Sequence, residues 1–394
     1  MRPAAARGGA TGAAVAVAGV MTFINLYAPQ AILPALATSF HVPVGRTSLT
    51  VTAPLLAVAL VAPFVGTISD RLGRKRLVVA AGLGLVVPTL LVAASTSLGA
   101  MILWRFVQGL LLPFIFAVTV AYIGDESSGG QTIRIAGLYS TGAILGGFLG
   151  RFVAGIAADF GGWRMAFVAI AAATLAGGAH VAAFLPPERN FRPVTGGLRS
   201  TLATYGEHLA NPRLLATCVI GFGMLFCMVA TFTYVNFYLA APPFSLSPAA
   251  LGMVFTVYLL GLATTSLATS LAARIGRRPT LAAVIVLAGA GLLLTLSPRV
   301  AIVIAGLALV AGGMFVVQAL SLGFIGAAVA RAKSTAVGLY VTTYYVGGAL
   351  GGIMPAAFWR QLGWPGVVAL LIALMALMLA AGMVFWRDTP ARSA

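Results

Sequence analysis

The sequence predicts an all-α membrane protein whose twelve transmembrane helices form two pseudo-symmetric six-helix bundles. Three observations predict it. The 394 residues are 60% hydrophobic and only 8% charged, against about 25% charged in a soluble domain. Apolar blocks of about 20 residues recur from end to end, each long enough to cross a ~30 Å hydrocarbon core as a helix. The second half of the chain also repeats the first.

The blocks are 12–36, 47–68, 77–94, 99–121, 134–157, 163–185, 213–239, 247–271, 279–296, 299–322, 335–357 and 364–386, numbered here as spans one to twelve. Span one holds Asn25 and Gln30 and has no short apolar region ending in a cleavage site. It reads as a retained helix, not a signal peptide. Pro29 and Pro34 should bend it, since proline cannot donate to the helical ladder. Cys218 and Cys227, nine residues apart on span seven, stand on opposite faces separated by about 13.5 Å of rise. A disulfide between them is out of reach, and redox and metal roles are not expected.

The repeat is read from "GLYSTGAILGGFLG" at Gly137 and "GLYVTTYYVGGALG" at Gly338, 201 residues apart, an offset that also carries Gly162-Trp163 onto Gly363-Trp364. "DRLGRKR" at 70–76 echoes "ARIGRRP" at 273–279. The chain therefore divides into an N-terminal bundle, 1–185, a cytoplasmic linker, 186–212, and a C-terminal bundle, 213–394. The linker is polar and rich in proline and glycine at its start, with a short surface helix expected over 198–209. Two parallel six-helix repeats are a transporter architecture in which substrate sits near the midplane and the halves rock about it.

The net charge of +17 raises the question of a nucleic-acid partner. Its distribution answers that. Eighteen of the 24 basic residues fall in segments on one side, four fall in the opposite loops, and Arg105 and Arg151 lie inside spans. This asymmetry is the positive-inside rule and places both termini in the cytoplasm. The charge is accounted for by orientation and by contact with the lipid bilayer. No nucleic-acid partner is expected.

Between spans two and three the pattern Gly66-x-x-x-Asp70-Arg71-x-Gly73-Arg74-Lys75 joins a tight-turn glycine to an acid and a basic cluster. A basic loop alone would only fix orientation; the whole pattern is more specific. With it, the sequence resembles the major facilitator superfamily over essentially its full length. The resemblance implies that Asp70, Arg71 and Arg74 form a cytoplasmic latch, with Gly66 permitting close helix contact. The second-half copy keeps Arg274, Gly276, Arg277 and Arg278 but has Ala273 in place of the acid, implying a weaker latch.

"RFVQG" at 105–109 looks like the family's Arg-x-x-Gln-Gly motif, which implies a cavity-facing Arg105 with Gln108 beside it. "NLYAPQAILP" and "GGFLGR" resemble the YnfM-like, acriflavine-sensitivity branch of bacterial inner-membrane transporters. Span five carries part of a drug/proton antiporter glycine pattern, with Arg151 where that pattern has proline. Gly142, Gly146 and Gly150, four residues apart, make a smooth stripe for close helix packing. Gly147, Arg151 and Gly155 make the adjacent one. The repeat puts Gly352 at the position of Arg151, so helix packing there does not require the arginine. A charge at mid-membrane costs ~2.5–3.5 kcal/mol on insertion scales. Arg151 therefore either snorkels to the outer surface or, with Arg105, lines the pathway.

Of the seven acidic residues, none falls in the middle of a span. Two buried positive charges without a buried acid favour an anionic or neutral, hydrogen-bonding substrate. Asp159 reads as a cap in the loop before Gly162, and His180 as an interior residue. Other in-span polar residues are candidates for the substrate or coupling pathway: Asn25, Tyr27 and Gln30 in span one, Tyr234, Asn236 and Tyr238 in span seven, Gln318 in span ten, and Tyr340 and Tyr344 in span eleven. Each tyrosine could equally sit in an interfacial belt.

The expected function is secondary active transport of a small-molecule substrate across the inner membrane by a monomer. The resemblance implies proton-coupled efflux with the proton gradient as the energy source and no cofactor. Uptake by symport and cationic multidrug antiport are the alternatives. An enzyme is disfavoured, since the chain has no zinc-protease motif, nucleophile elbow or P-loop and only three histidines.

Overall fold

The computed structural model describes residues 4–188, 206–329 and 331–386. Among them, nine helices are long and apolar enough to cross a bilayer. The twelve sequence spans all fall on helices because some helices are broken and others merged. Gly130–Phe184 carries spans five and six and breaks at Gly161 and Gly162. Pro355–Phe385 carries the end of span eleven and span twelve as far as Phe385, with a break at Gly363. Spans eight and eleven run over Pro248–Ile275 and Lys333–Ile353. Most of the linker and the surface helix expected over 198–209 lie outside the described residues, of which 206–209 are helical.

Span one runs as a helix over Ala4–Tyr27, tightens to a 3₁₀ turn over Ala28–Ile32 and resumes over Leu33–Phe40. The interruption follows from Pro29 and Pro34, which lack the N–H groups that would bond the carbonyls of Asn25 and Gln30. Span two, Leu49–Leu72, contains Pro54 and leaves the Thr50 carbonyl in the same position. Gly73 ends it at φ +88°, and its repeat partner Gly276 takes φ +91°. Gly162 and Gly363, paired by the other offset, take φ +74° and +62°. Each pair occupies the left-handed side of the map, which favours glycine.

The helices form two compact units. The first joins the six N-terminal spans to Phe232–Leu259 and Gly352–Ala356, and the second contains the remaining parts of spans seven to twelve. In the first, Cβ atoms on Gly142, Gly146 and Gly150 would strike the backbone of Ala16, Val20 and Ile24. Spans one and five thus touch along a run of i, i+4 positions, an approach open only to residues without side chains. In the second unit Gly347 and Gly351 lie in the same way against Phe222 and Phe226. Cys218 and Cys227 are both buried free thiols.

Candidate functional site

The broken turn of span one, 25–30, is flanked by the two in-span arginines. On one side Arg105, fully buried, donates from Nη1 to the Asn25 carbonyl at 2.7 Å and from Nη2 to the Leu26 carbonyl at 2.6 Å. Its Nε donates to the Thr50 carbonyl at 2.9 Å, and Nη1 also reaches Gln108 Oε1 at 2.6 Å. Asn25 and Thr50 each stand four residues before a proline, so Arg105 supplies the hydrogen bonds that Pro29 and Pro54 withhold. Around it, Gln108 Nε2 donates to the Thr89 hydroxyl, Thr89 lies 3.0 Å from Asn25 Oδ1, and Asn25 Nδ2 donates to Thr174 at 2.7 Å. The network ties spans one, two, three, four and six. Arg105 and Gln108 therefore act first as a staple between helices.

On the other side Arg151 is 1% exposed, which rules out the snorkelling alternative. Its Nε donates to Gln30 Oε1 at 2.7 Å, Nη1 to the Gly147 carbonyl, and Nη2 to the Tyr258 hydroxyl at 3.3 Å. The guanidinium carbon lies 4.3 Å from the ring centres of Tyr27 and Tyr258 and 4.6 Å from that of Phe255. These distances lie within the range of cation–π attraction, which strengthens when the site is dry. Every one of these partners is neutral. Gln30 is held in turn: its Nε2 donates to Thr233 at 3.1 Å, and Asn236 Nδ2 donates to its carbonyl at 2.8 Å, the one Pro34 leaves open. Asn236 Oδ1 is buried and accepts no hydrogen bond among the described residues.

The other sequence candidates divide. Tyr234 is buried and donates to the Gly352 carbonyl at 2.9 Å, at the repeat position of Arg151. Tyr238 is half-buried, edge-on to Phe244. In the second unit Gln318 donates to the Tyr344 hydroxyl at 3.3 Å, and Tyr344 stacks on Tyr340 with centres 5.9 Å apart. The Tyr340 ring fills the space beside Gly221. His180 packs against Phe184 with ring centres 4.6 Å apart. Asp159 is not a local cap before Gly162: its Oδ2 accepts from Ser247 Oγ at 3.0 Å and Ala249 N at 3.1 Å, at the start of span eight.

The basic loop centres on Arg74. It pairs with Asp70 at 2.7 Å and with Asp125, at the end of span four, at 3.0 Å, and it donates to Ser69 Oγ. The Lys75 N–H donates to Glu188 Oε2 at 3.3 Å, and Glu188 occupies the space a Cβ on Gly73 would need. Arg71 and Lys75 line an adjoining cavity of about 790 Å³. A Cβ on Gly66 would meet nothing within 4 Å, so Gly66 makes no close helix contact in this conformation.

Sequence reasoning passed over Asp125, Glu188, Thr50, Phe255 and Tyr258. For Thr50 there was a signal, Pro54 four residues on. For Phe255 and Tyr258 there was none beyond their being aromatic residues in a span, since they meet Arg151 from more than a hundred positions away.

Two helical repeats, a central broken helix and buried polar clusters at the crossings define a membrane transporter of the alternating-access type. The family model of the Major Facilitator Superfamily matches residues 15–245 and 237–394, and the chain belongs to that family. It is 31% identical over 367 residues to the inner membrane transport protein YnfM of Escherichia coli K12, covering 93% of this chain and 88% of that one. It is also 31% identical to an uncharacterised MFS-type transporter, YybF, of Bacillus subtilis, covering 90% of this chain and 88% of that one. Among solved structures it resembles a bacterial homologue of the human lysosomal transporter Spinster in an inward-facing, unoccupied conformation. The TM-score is 0.81 at 14% identity, over 98% of this chain and 99% of that one. A mutant of the nucleoside transporter NupG gives 0.80 at 14% identity, over 96% and 100%. The chain is a multi-pass transporter and not an enzyme.

Proposed function

We propose that this transporter exports an anionic or neutral, hydrogen-bonding organic compound across the inner membrane in exchange for protons, as a monomer with both termini cytoplasmic. One observation carries the substrate class. Arg151 is buried among neutral partners, an amide, a carbonyl, a hydroxyl and three ring faces, and no carboxylate among the described residues pairs with its positive charge. A charge in that position attracts an anion or a strong hydrogen-bond acceptor. A substrate oxygen accepts from Arg151 in place of the Gln30 amide oxygen or the Tyr258 hydroxyl, while Tyr27 and Asn236 complete the lining. The basic loop around Asp70, Arg71 and Arg74 acts as the cytoplasmic latch.

A second reading has a specific support. The rings of Tyr27, Phe255 and Tyr258 already hold a cation, the chain's own, and a lipophilic cation could compete with Arg151 for them. The test is thermal stabilisation of purified protein by a panel of anionic, neutral and cationic compounds. A ligand at 100 times its Kd adds ~2.7 kcal/mol. Anions or neutral acceptors should stabilise the native protein, and Arg151→Gly should erase the effect. Stabilisation by cations alone, retained or enhanced in Arg151→Gly, would replace the first reading with the second.

A further inference from the structure

Span five carries Arg151, Gly155 and Asp159 four residues apart, so the three share one face, and each meets span eight. Arg151 reaches Tyr258 and lies over the Phe255 ring. A Cβ on Gly155 would strike the Pro248 carbonyl and stand 3.2 Å from the Gly252 Cα, while one on Gly252 would stand 2.9 Å from the Arg151 carbonyl. Asp159 closes the row with hydrogen bonds of 3.0 and 3.1 Å from Ser247 and Ala249. The row thus passes from a buried cation among rings, through bare backbone, to an exposed carboxylate at the end of the molecule opposite the basic loop.

The repeat shows which part is special. The positions related to Arg151, Gly155 and Asp159 are Gly352, Ala356 and Arg360. Gly352 lies against Thr52 of span two, and Ala356 lies beside Gly45. Close packing therefore recurs on that side, but the carboxylate does not.

We propose that Asp159 is a clamp that holds this end of the transporter closed, and that its release from span eight is a step of the transport cycle. Alternating access requires spans five and eight, one from each half, to part here. Backbone contact at Gly155 and Gly252 allows approach but supplies little directed attraction. The two hydrogen bonds to Asp159 are directed, and Asp159 is exposed, so water replaces them when the spans separate. Such a contact biases the balance between closed and open without fixing the fold. The inference rests on the family's alternating access and not on the substrate class proposed above.

The experiment is a distance measurement between spin labels on Phe160→Cys and Ala241→Cys, in full-length protein whose buried Cys218 and Cys227 are changed to alanine. The parent should show mainly the short distance. Asp159→Ala should shift the ratio of short to long distances by roughly tenfold towards long. Asp159→Asn, which keeps one acceptor oxygen, should shift it less, and Ser247→Ala should also shift it in part. An unchanged distribution in all three variants overturns the proposal, as does a loss of thermal stability with the distances unmoved.

Discussion

The Arg105 guanidinium donates to the Thr50 carbonyl at 2.9 Å, and Pro54 is the reason that carbonyl is open to it. The same holds at Asn25 and Pro29. In hydrocarbon an unsatisfied backbone group costs several kcal/mol. A bent span one therefore needs a donor brought from elsewhere, and a guanidinium can serve several carbonyls at once. Arg105 makes the bend of span one and the proline of span two compatible with burial.

That relationship predicts coupling. Arg105→Ala should lower thermal stability by about 3 kcal/mol or more, because it leaves buried carbonyls without partners. Pro54→Ala restores an N–H to Thr50, so in its presence the same arginine substitution should cost less. A double-mutant cycle by thermal unfolding measures the difference. Strictly additive losses would separate Arg105 from the prolines.

At Arg151 the prediction separates ring from hydroxyl. Tyr258→Phe keeps the ring under the guanidinium and loses one 3.3 Å hydrogen bond. It should cost under about 1 kcal/mol and leave transport largely intact. Tyr258→Ala removes a cation–π partner and opens a cavity, and should cost ~2–4 kcal/mol. Arg151→Gly should keep the fold and abolish transport, read in proteoliposomes; normal transport by that variant would remove Arg151 from the pathway.

The glycine stripe gives a sharper contrast. Gly146→Leu should prevent folding, because even a Cβ there would meet the Val20 backbone. Gly66→Ala should leave expression and thermal stability unchanged, because nothing lies within 4 Å. A transport defect in Gly66→Ala at native stability would mean that this glycine is approached in another state of the cycle.

What the sequence could convey follows a physical line. Hydropathy over 20 residues is a local signal, and so is a smooth row such as Gly142, Gly146 and Gly150; both were legible. Arg151 was legible as an anomaly, because its repeat partner is Gly352. Its aromatic surround was not, since Phe255 and Tyr258 are ordinary residues of a distant span until the helices pack. Asp159 illustrates a different limit. Its local sequence suits a cap, and it does cap, but the N–H group it accepts from belongs to span eight. Arg105 shows that a signal can be present and unused: Pro29 was read only as a bend and Pro54 was not read, though both marked open carbonyls in advance.

The basic loop supplies the last prediction. The family resemblance placed the latch on Asp70, Arg71 and Arg74, but Arg74 is shared between Asp70 at 2.7 Å and Asp125 at 3.0 Å. Two acids on one cation are partly redundant: with either neutralised, the other still anchors the guanidinium. Asp70→Asn should therefore slow turnover only a few-fold, and Asp125→Asn should do the same. The double variant should slow it by more than the product of the single effects, because only then does Arg74 lose both of its carboxylate partners. All sites are partly exposed, so high salt should shrink the differences. Initial transport rates at saturating substrate test this, with KM expected to hold steady throughout. A rise in KM in the single variants would move these acids from the latch to the substrate path.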